Sequence, residues 1–227
     1  MKRRVTFLIL AVAAFLGFFE FNLFYLLPQD ISFGSYFSGI FYSLVGGESS
    51  KVIRINLYNK SLTLIDNGAL VKQDKIAGAG HPKFSPTPTG NFKVLSKSKK
   101  VISYTGLFMP LSVRFKGAYY MHGIPTYRDG RLYYSEYSMG CIRIGPGLDQ
   151  EIYDWADIGT NVQIYNASLV RAEDNPTVYY LTREGAKEPI SSPEEFIGRG
   201  FRWQDVAVIP LIELDALPLA NSPVANR

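Results

Sequence analysis

The 227-residue sequence holds one cysteine, Cys141, and two histidines, His81 and His122. A lone cysteine excludes an intramolecular disulfide, a disulfide-stapled scaffold and a paired-thiol zinc site. Two histidines leave any metal site dependent on carboxylates, and no acidic residue accompanies a His81–His122–Cys141 set. Charge is also sparse, at 19% against a usual fraction of roughly 25%. There is no arginine-rich helix, zinc-finger spacing or Gly-rich phosphate loop, which argues against nucleic acid as a partner. At 47% hydrophobic and 14% aromatic, the chain is too apolar for disorder and too mixed for a multispanning membrane protein.

What charge there is lies unevenly. Residues 1–50 carry three basic and three acidic groups. Residues 51–165 carry fifteen basic and eight acidic, net +7, and residues 166–227 six basic and nine acidic, net −3. A basic middle suits an anionic partner without naming it.

Lys2, Arg3 and Arg4 precede an apolar run from Val5 to Leu27, in which fifteen of twenty-three residues are Leu, Ile, Val or Phe. At 1.5 Å per residue this length spans a hydrocarbon core of roughly 30 Å. Glu20, off-centre, is outweighed by the apolar majority. The expectation is an uncleaved transmembrane anchor at residues 1–27. A cleaved signal peptide is the alternative, although no small-x-small site follows its apolar region directly. In both readings the basic flank stays cytoplasmic and the rest is exported. Phe33, Tyr36, Phe37, Ile40, Phe41 and Leu44 then repeat at helical spacing in a juxtamembrane segment, residues 28–50. That helix either lies in the membrane interface or packs on the folded domain.

From Lys51 the period changes to that of strands. Runs at Val52–Leu57, Leu62–Ile65 and Leu70–Ala77 are separated by turns at Asn59-Lys60 and Asp66-Asn67-Gly68. Gly78–Gly90 is a loop dense in Gly, Pro and Thr that leads into a strand at Asn91–Leu95. Further strands fit Ser112–Phe115, Tyr119–His122 and Asn161–Tyr165. One helix fits Leu148–Ile158, with Leu148, Ile152 and Trp155 on one face. The pattern predicts a mainly β domain, a sandwich or mixed sheet with one or two helices.

The residues with chemistry surround the cysteine. His122-Gly123 ends a strand, and fifteen residues further on stands Ser138-Met139-Gly140-Cys141-Ile142-Arg143. A thiol with pKa near 8.5 is mostly protonated at neutral pH, so a nucleophilic cysteine needs a base or a positive charge beside it. A hairpin excursion at Tyr127–Arg131, turning at Asp129-Gly130, would return Cys141 to His122. Gly140 would let the backbone approach a substrate, the amides of Met139–Cys141 would face a developing oxyanion, and Arg143 would offer fixed charge to a substrate carboxylate. Ser138 fits a turn hydrogen bond better than a nucleophile. Of Tyr119, Tyr120, Tyr133, Tyr134 and Tyr137, strand alternation puts about half in the core and leaves the others to line a groove. His81, in the Pro/Gly loop, reads as solvated and receives no catalytic role.

His122, Gly123, Ser138, Gly140, Cys141, Ile142 and Arg143, with Thr87-Pro88-Thr89-Gly90-Asn91-Phe92, Met109-Pro110 and Gly159-Thr160-Asn161-Val162 in that order, resemble the L,D-transpeptidase catalytic domain, the YkuD-type family of bacterial cell-wall enzymes. The resemblance covers residues 51–165. One position departs: Met139 stands where the family usually carries a second histidine, and methionine neither accepts a proton nor donates a side-chain hydrogen bond. The resemblance implies Cys141 as nucleophile and His122 as proton acceptor and donor. It places Met139, Gly140, Arg143, Gly123 and Ser138 around the oxyanion and substrate, and it needs no metal or nucleotide. The implied reaction is acyl transfer from a peptidoglycan stem tetrapeptide, with D-alanine released, to an acceptor amine. Water as acceptor would make the protein an L,D-carboxypeptidase, and a weakened site would leave a peptidoglycan-binding protein of the same fold.

Residues 166–176 read as a linker and 177–227 as a small α+β module. In that module Val178–Leu181 is a strand, Pro189-Ile190 a return strand, and Ser192-Pro193-Glu194-Glu195 a helix start with an N-cap, Pro at N1 and two acids in the first turn. It resembles, less specifically, a short module of bacterial surface proteins, which makes contact with a wall polymer its expected role. The sequence thus predicts a single-pass protein of the bacterial cell membrane, with its catalytic domain on the extracytoplasmic side.

Overall fold

The computed structural model describes residues 49–220; the expected anchor and the juxtamembrane helix lie outside the described residues. Among the described residues no helix is long and apolar enough to cross a membrane.

The first sheet is ordered β3-β2-β1-β9-β4 and is built from β1 (Lys51–Asn56), β2 (Ser61–Asp66), β3 (Ala69–Lys75), β4 (Gly90–Lys93) and β9 (Asn161–Tyr165). The β2–β3 turn is the Asn67-Gly68 pair read from the sequence, with φ of 50° and 75°, the conformation that suits a tight hairpin. β1 pairs parallel to β9, Ile53 opposite Val162 and Ile55 opposite Ile164. The second sheet is ordered β5-β6-β7-β8, from β5 (Ser96–Ile102), β6 (Phe108–Lys116), β7 (Tyr119–His122) and the two-residue β8 (Ile142–Arg143). Helix α1 (Leu148–Trp155) follows β8. It stops short of the expected Ile158 because Ala156 turns extended, at ψ 125°.

One core fills the space between these sheets. Ile53, Ile55, Leu62, Leu64, Val162 and Ile164 from the first meet Val113, Phe115, Met121 and Ile142 from the second, with Leu148 and Ile152 of α1 joining them. This is the β-rich sandwich that strand alternation foretold.

The C-terminal residues differ from expectation in one respect. The stretch read as a linker contains β10 (Leu169–Ala172), an inner strand of a third sheet ordered β12-β11-β10-β13, with β11 (Tyr179–Leu181), β12 (Lys187–Pro189) and β13 (Val206–Ile209). Its burial explains this: Leu169 packs with Val178, Ile190 and Phe196, and Val170 and Ala172 with Leu181, Ile209 and Leu214, all supplied by segments further along the chain. Helix α2 (Pro193–Gly198) is capped as the sequence indicated, the Glu195 amide donating to Ser192 Oγ at 3.2 Å. Helix α3 (Leu211–Asp215) closes the unit.

This third sheet packs on the outer face of the first. Arg54 of β1 forms a buried pair with Glu213 of α3 and also donates to Gln163. Tyr165 donates to Glu213 at 2.7 Å. Tyr58 and Tyr165 join the small core of Val170, Leu181, Ile209 and Leu214. Residues 166–220 are thus built into the same body as the sandwich, with the second sheet on the opposite side.

Candidate active site

β7 and β8 are parallel neighbours, with Met121 opposite Ile142 and His122 opposite Arg143. Side chains alternate across a strand, so His122 and Arg143 share a face, and Cys141, two residues before Arg143, falls on it as well. The three groups singled out in the sequence are therefore brought together, although Cys141 stands nineteen positions after His122. The intervening excursion folds as a hairpin: the Tyr127 amide donates to Arg131 O at 2.8 Å, and the Gly130 amide to Tyr127 O at 3.1 Å.

His122 is 2% exposed. Its Nδ1 lies 2.6 Å from the Gly123 carbonyl oxygen. A carbonyl can only accept, so Nδ1 carries the proton and Nε2 is the basic nitrogen. Burial pushes the imidazole pKa from 6.5 down to about 4, and the neighbouring Arg143 charge works in the same direction against the Gly123 hydrogen bond. The ring is accordingly neutral at neutral pH. Cys141 is half-buried and its thiol makes a long contact, 3.9 Å, to the Ala118 carbonyl. Burial raises the thiol pKa, while the Tyr120 backbone and Arg143 draw it down. The resting pair is therefore a neutral thiol and a neutral imidazole.

The loop before Cys141 is held from within. Ser138 Oγ accepts from the Gly140 amide at 3.0 Å and donates to the Cys141 carbonyl at 2.5 Å, the turn role expected of it. Gly140 sits at φ +107°, and a Cβ there would lie 2.5 Å from Tyr119 Cε1, so both backbone and space demand glycine.

Two expectations change. The Gly140 amide is occupied by Ser138 Oγ and is not free to face an oxyanion, which leaves the amides of Met139 and Cys141. Arg143 is 6% exposed, donates through Nη1 to the Ser135 carbonyl and lies over the Tyr133 ring, 5.6 Å from its centroid. Its charge works from beneath the thiol and does not reach out to a substrate carboxylate. Gly123 is buried, its amide donating to Pro110 O at 3.0 Å. Met139 is 64% exposed, and Tyr134 and Tyr137 are exposed as well.

Sequence reasoning missed one contributor. The Pro/Gly loop clasps the cysteine loop: the Ala77 amide donates to Arg143 O, the Arg143 amide to Gly78 O and the Ser138 amide to Ala79 O, at 2.8, 2.8 and 2.9 Å. Thr87 Oγ1 completes the clasp, accepting from the Gly80 amide and donating to Gly140 O. Thr87-Pro88-Thr89-Gly90 was visible as a motif, but nothing local indicated that its threonine secures the residue before the nucleophile candidate.

Residues 51–165 define a two-sheet β domain that presents one thiol, one buried imidazole and one guanidinium on a common face. The model of the YkuD L,D-transpeptidase catalytic domain family matches residues 50–164, and the chain belongs to that family. Among solved structures it is similar to an L,D-transpeptidase (Yku) from Stackebrandtia nassauensis, at 20% identity and TM-score 0.45, over 53% of this chain and 57% of that one. It is also similar to an L,D-transpeptidase from Mycobacterium smegmatis, at 25% identity and TM-score 0.43, over 51% and 58%. A third is the L,D-transpeptidase from Xylanimonas cellulosilytica, at 25% identity and TM-score 0.42, over 52% and 62%. The chain thus covers less than two thirds of the length of each of these. No curated protein sequence matches it.

Proposed function

We propose that the protein is a cell-wall L,D-transpeptidase that uses Cys141 as nucleophile and His122 as its proton carrier. The observation that carries this reading is the shared face of His122, Cys141 and Arg143 on β7 and β8, with the His122 tautomer fixed by the Gly123 carbonyl.

The chemistry follows from a neutral pair. His122 Nε2 removes the thiol proton as sulfur attacks the carbonyl between the third residue and the terminal D-alanine of a stem tetrapeptide. Arg143 beneath the site lowers the cost of the thiolate, and the Met139 and Cys141 amides receive the oxyanion. The imidazolium then protonates the departing D-alanine amine, leaving an acyl-thioester. An amine of a second stem resolves the thioester, giving its proton to His122 and regenerating the thiol. The apolar run at residues 5–27 with its basic flank supports a membrane-anchored protein whose domain acts outside the cytoplasm.

The test is D-alanine release from a stem tetrapeptide by the full-length protein in detergent, with and without an acceptor stem, read by mass spectrometry. Release with a cross-linked product, abolished in Cys141→Ala, supports the proposal. Release with hydrolysis alone would make the protein a carboxypeptidase. No release in the wild type would overturn the enzymatic reading.

A further inference from the structure

His81, given no role on sequence grounds, sits against the loop that leads into Cys141. Its amide donates to the Ser138 carbonyl at 3.3 Å. Its ring is packed between Phe84 and Tyr137, with centroids 4.6 Å from each. The preceding residue explains how the loop comes so close: a Cβ on Gly80 would lie 2.1 Å from Ser85 O and 2.8 Å from Gly140 Cα. Only a glycine allows the two backbones to touch there.

Two backbone amides choose the tautomer of the neutral ring. Nδ1 accepts from the amides of Lys83 and Phe84, at 3.1 and 3.2 Å. In a neutral imidazole the proton then resides on Nε2. Nε2 has no acceptor among the described residues, and the side chain is half-exposed. The loop thus holds up an oriented N–H donor that bonds no acceptor among the described residues.

Its position bounds how far from the nucleophile it would meet a ligand. His81, packed on Tyr137 and hydrogen-bonded to the Ser138 carbonyl, flanks the short turn Ser138–Gly140 that leads into Cys141. Tyr137 and Cys141 are four residues apart, at most roughly 13 Å along an extended chain. A donor within that span reaches a group of a bound peptide no more than a few residues from the attacked carbonyl. Met139, between the two, offers no donor.

We propose that His81 is a substrate-binding residue whose Nε2–H donates to a carboxylate of the acyl-donor stem peptide. This rests on the acyl-transfer reading above. The bond is made in the ground state and the transition state alike, so it sets KM and leaves kcat nearly unchanged.

Two substitutions separate this role from simple support of the loop. Asn at position 81 retains an acceptor where Nδ1 sits but has no donor at Nε2. Gln places an amide N–H near Nε2 but lacks the Nδ1 acceptor. In the full-length protein, His81→Asn should raise KM for the stem tetrapeptide about tenfold, as expected for one hydrogen bond to a charged acceptor, with kcat within about twofold. His81→Gln should recover most of the affinity. If loop support is the whole role, the order reverses: Asn behaves as wild type and Gln is the impaired variant. That result, or a wild-type KM in both, overturns the proposal. Alkylation of Cys141 by iodoacetamide, too small to reach His81, should proceed equally in all three proteins; slowing in His81→Asn would point to a displaced nucleophile and also count against it. Tetrapeptide affinity measured by calorimetry in Cys141→Ala, with and without His81→Asn, needs no turnover. A weakened Kd in the double variant upholds His81 even if the wild type releases no D-alanine. No binding in Cys141→Ala overturns it.

Discussion

The buried, neutral His122 has a consequence for stability that can be worked through. Its pKa falls from 6.5 when solvated to about 4 in the fold. Between those values the unfolded chain binds a proton at this ring and the folded chain does not. Stability from this group is therefore complete above pH 6.5 and is lost as pH falls toward 4, at about 1.4 kcal/mol per unit, or roughly 3 kcal/mol in all. His122→Gln removes the titrating group. The wild type should thus lose about 3 kcal/mol more than the variant between pH 7 and pH 4, measured by urea unfolding at each pH. The same shift sets the acid limb of kcat/KM, since a protonated Nε2 cannot take the thiol proton. With a pKa near 4, activity at pH 5 stays close to that at pH 7; an unshifted imidazole would cost about thirty-fold. Parallel stability curves for wild type and variant, or a kinetic limb at pH 6 to 7, would refute the reasoning that burial holds this ring neutral.

Other expectations concern the supports of the site. Gly140→Ala should leave the protein folded, since strain at φ +107° costs about 1–2 kcal/mol. The clash with Tyr119 should nevertheless shift the cysteine loop and lower acylation about a hundredfold, and the Gly140→Ala/Tyr119→Ala pair should recover part of it; an undiminished rate would show that the loop position is not critical. Glu213→Gln leaves the Arg54 charge buried without its partner, and urea unfolding should show a loss of about 3 kcal/mol or more; less than about 1 kcal/mol would mean the pair does not anchor the third sheet. The alkylation rate of Cys141 by iodoacetamide should keep rising beyond the ordinary thiol pKa of about 8.5, because burial raises this one. A plateau at or below neutral pH would reveal a preformed thiolate.

The sandwich was legible because its strands alternate cleanly and its turns carry Asn-Gly and Gly residues with one conformational purpose. β5 was not, because Ser96-Lys97-Ser98-Lys99-Lys100 is a polar edge strand without apolar alternation, Lys99 and Lys100 facing solvent and Lys97 tied to the Ala156 carbonyl. β10 was read as linker because four residues followed by Glu173, Asp174 and Asn175 look polar until a third sheet covers them. At the site, sequence spacing alone selected His122, Cys141 and Arg143. It did not reveal that Ser138 occupies the Gly140 amide, that the Arg143 guanidinium is enclosed, or that His81 rests against Tyr137. Each of these depends on contacts between segments far apart in the chain, which no local pattern encodes. Thr87 lies fifty-three residues from the Gly140 carbonyl it holds.

The claim on which the rest depends is that Cys141 is the acylated nucleophile and His122 its base. Intact-mass spectrometry of the full-length protein after incubation with a carbapenem such as imipenem tests it directly. One adduct is expected in the wild type, none in Cys141→Ala, and a strongly slowed adduct in His122→Gln. An adduct that persists in Cys141→Ala, or its absence from all three proteins, would contradict the account.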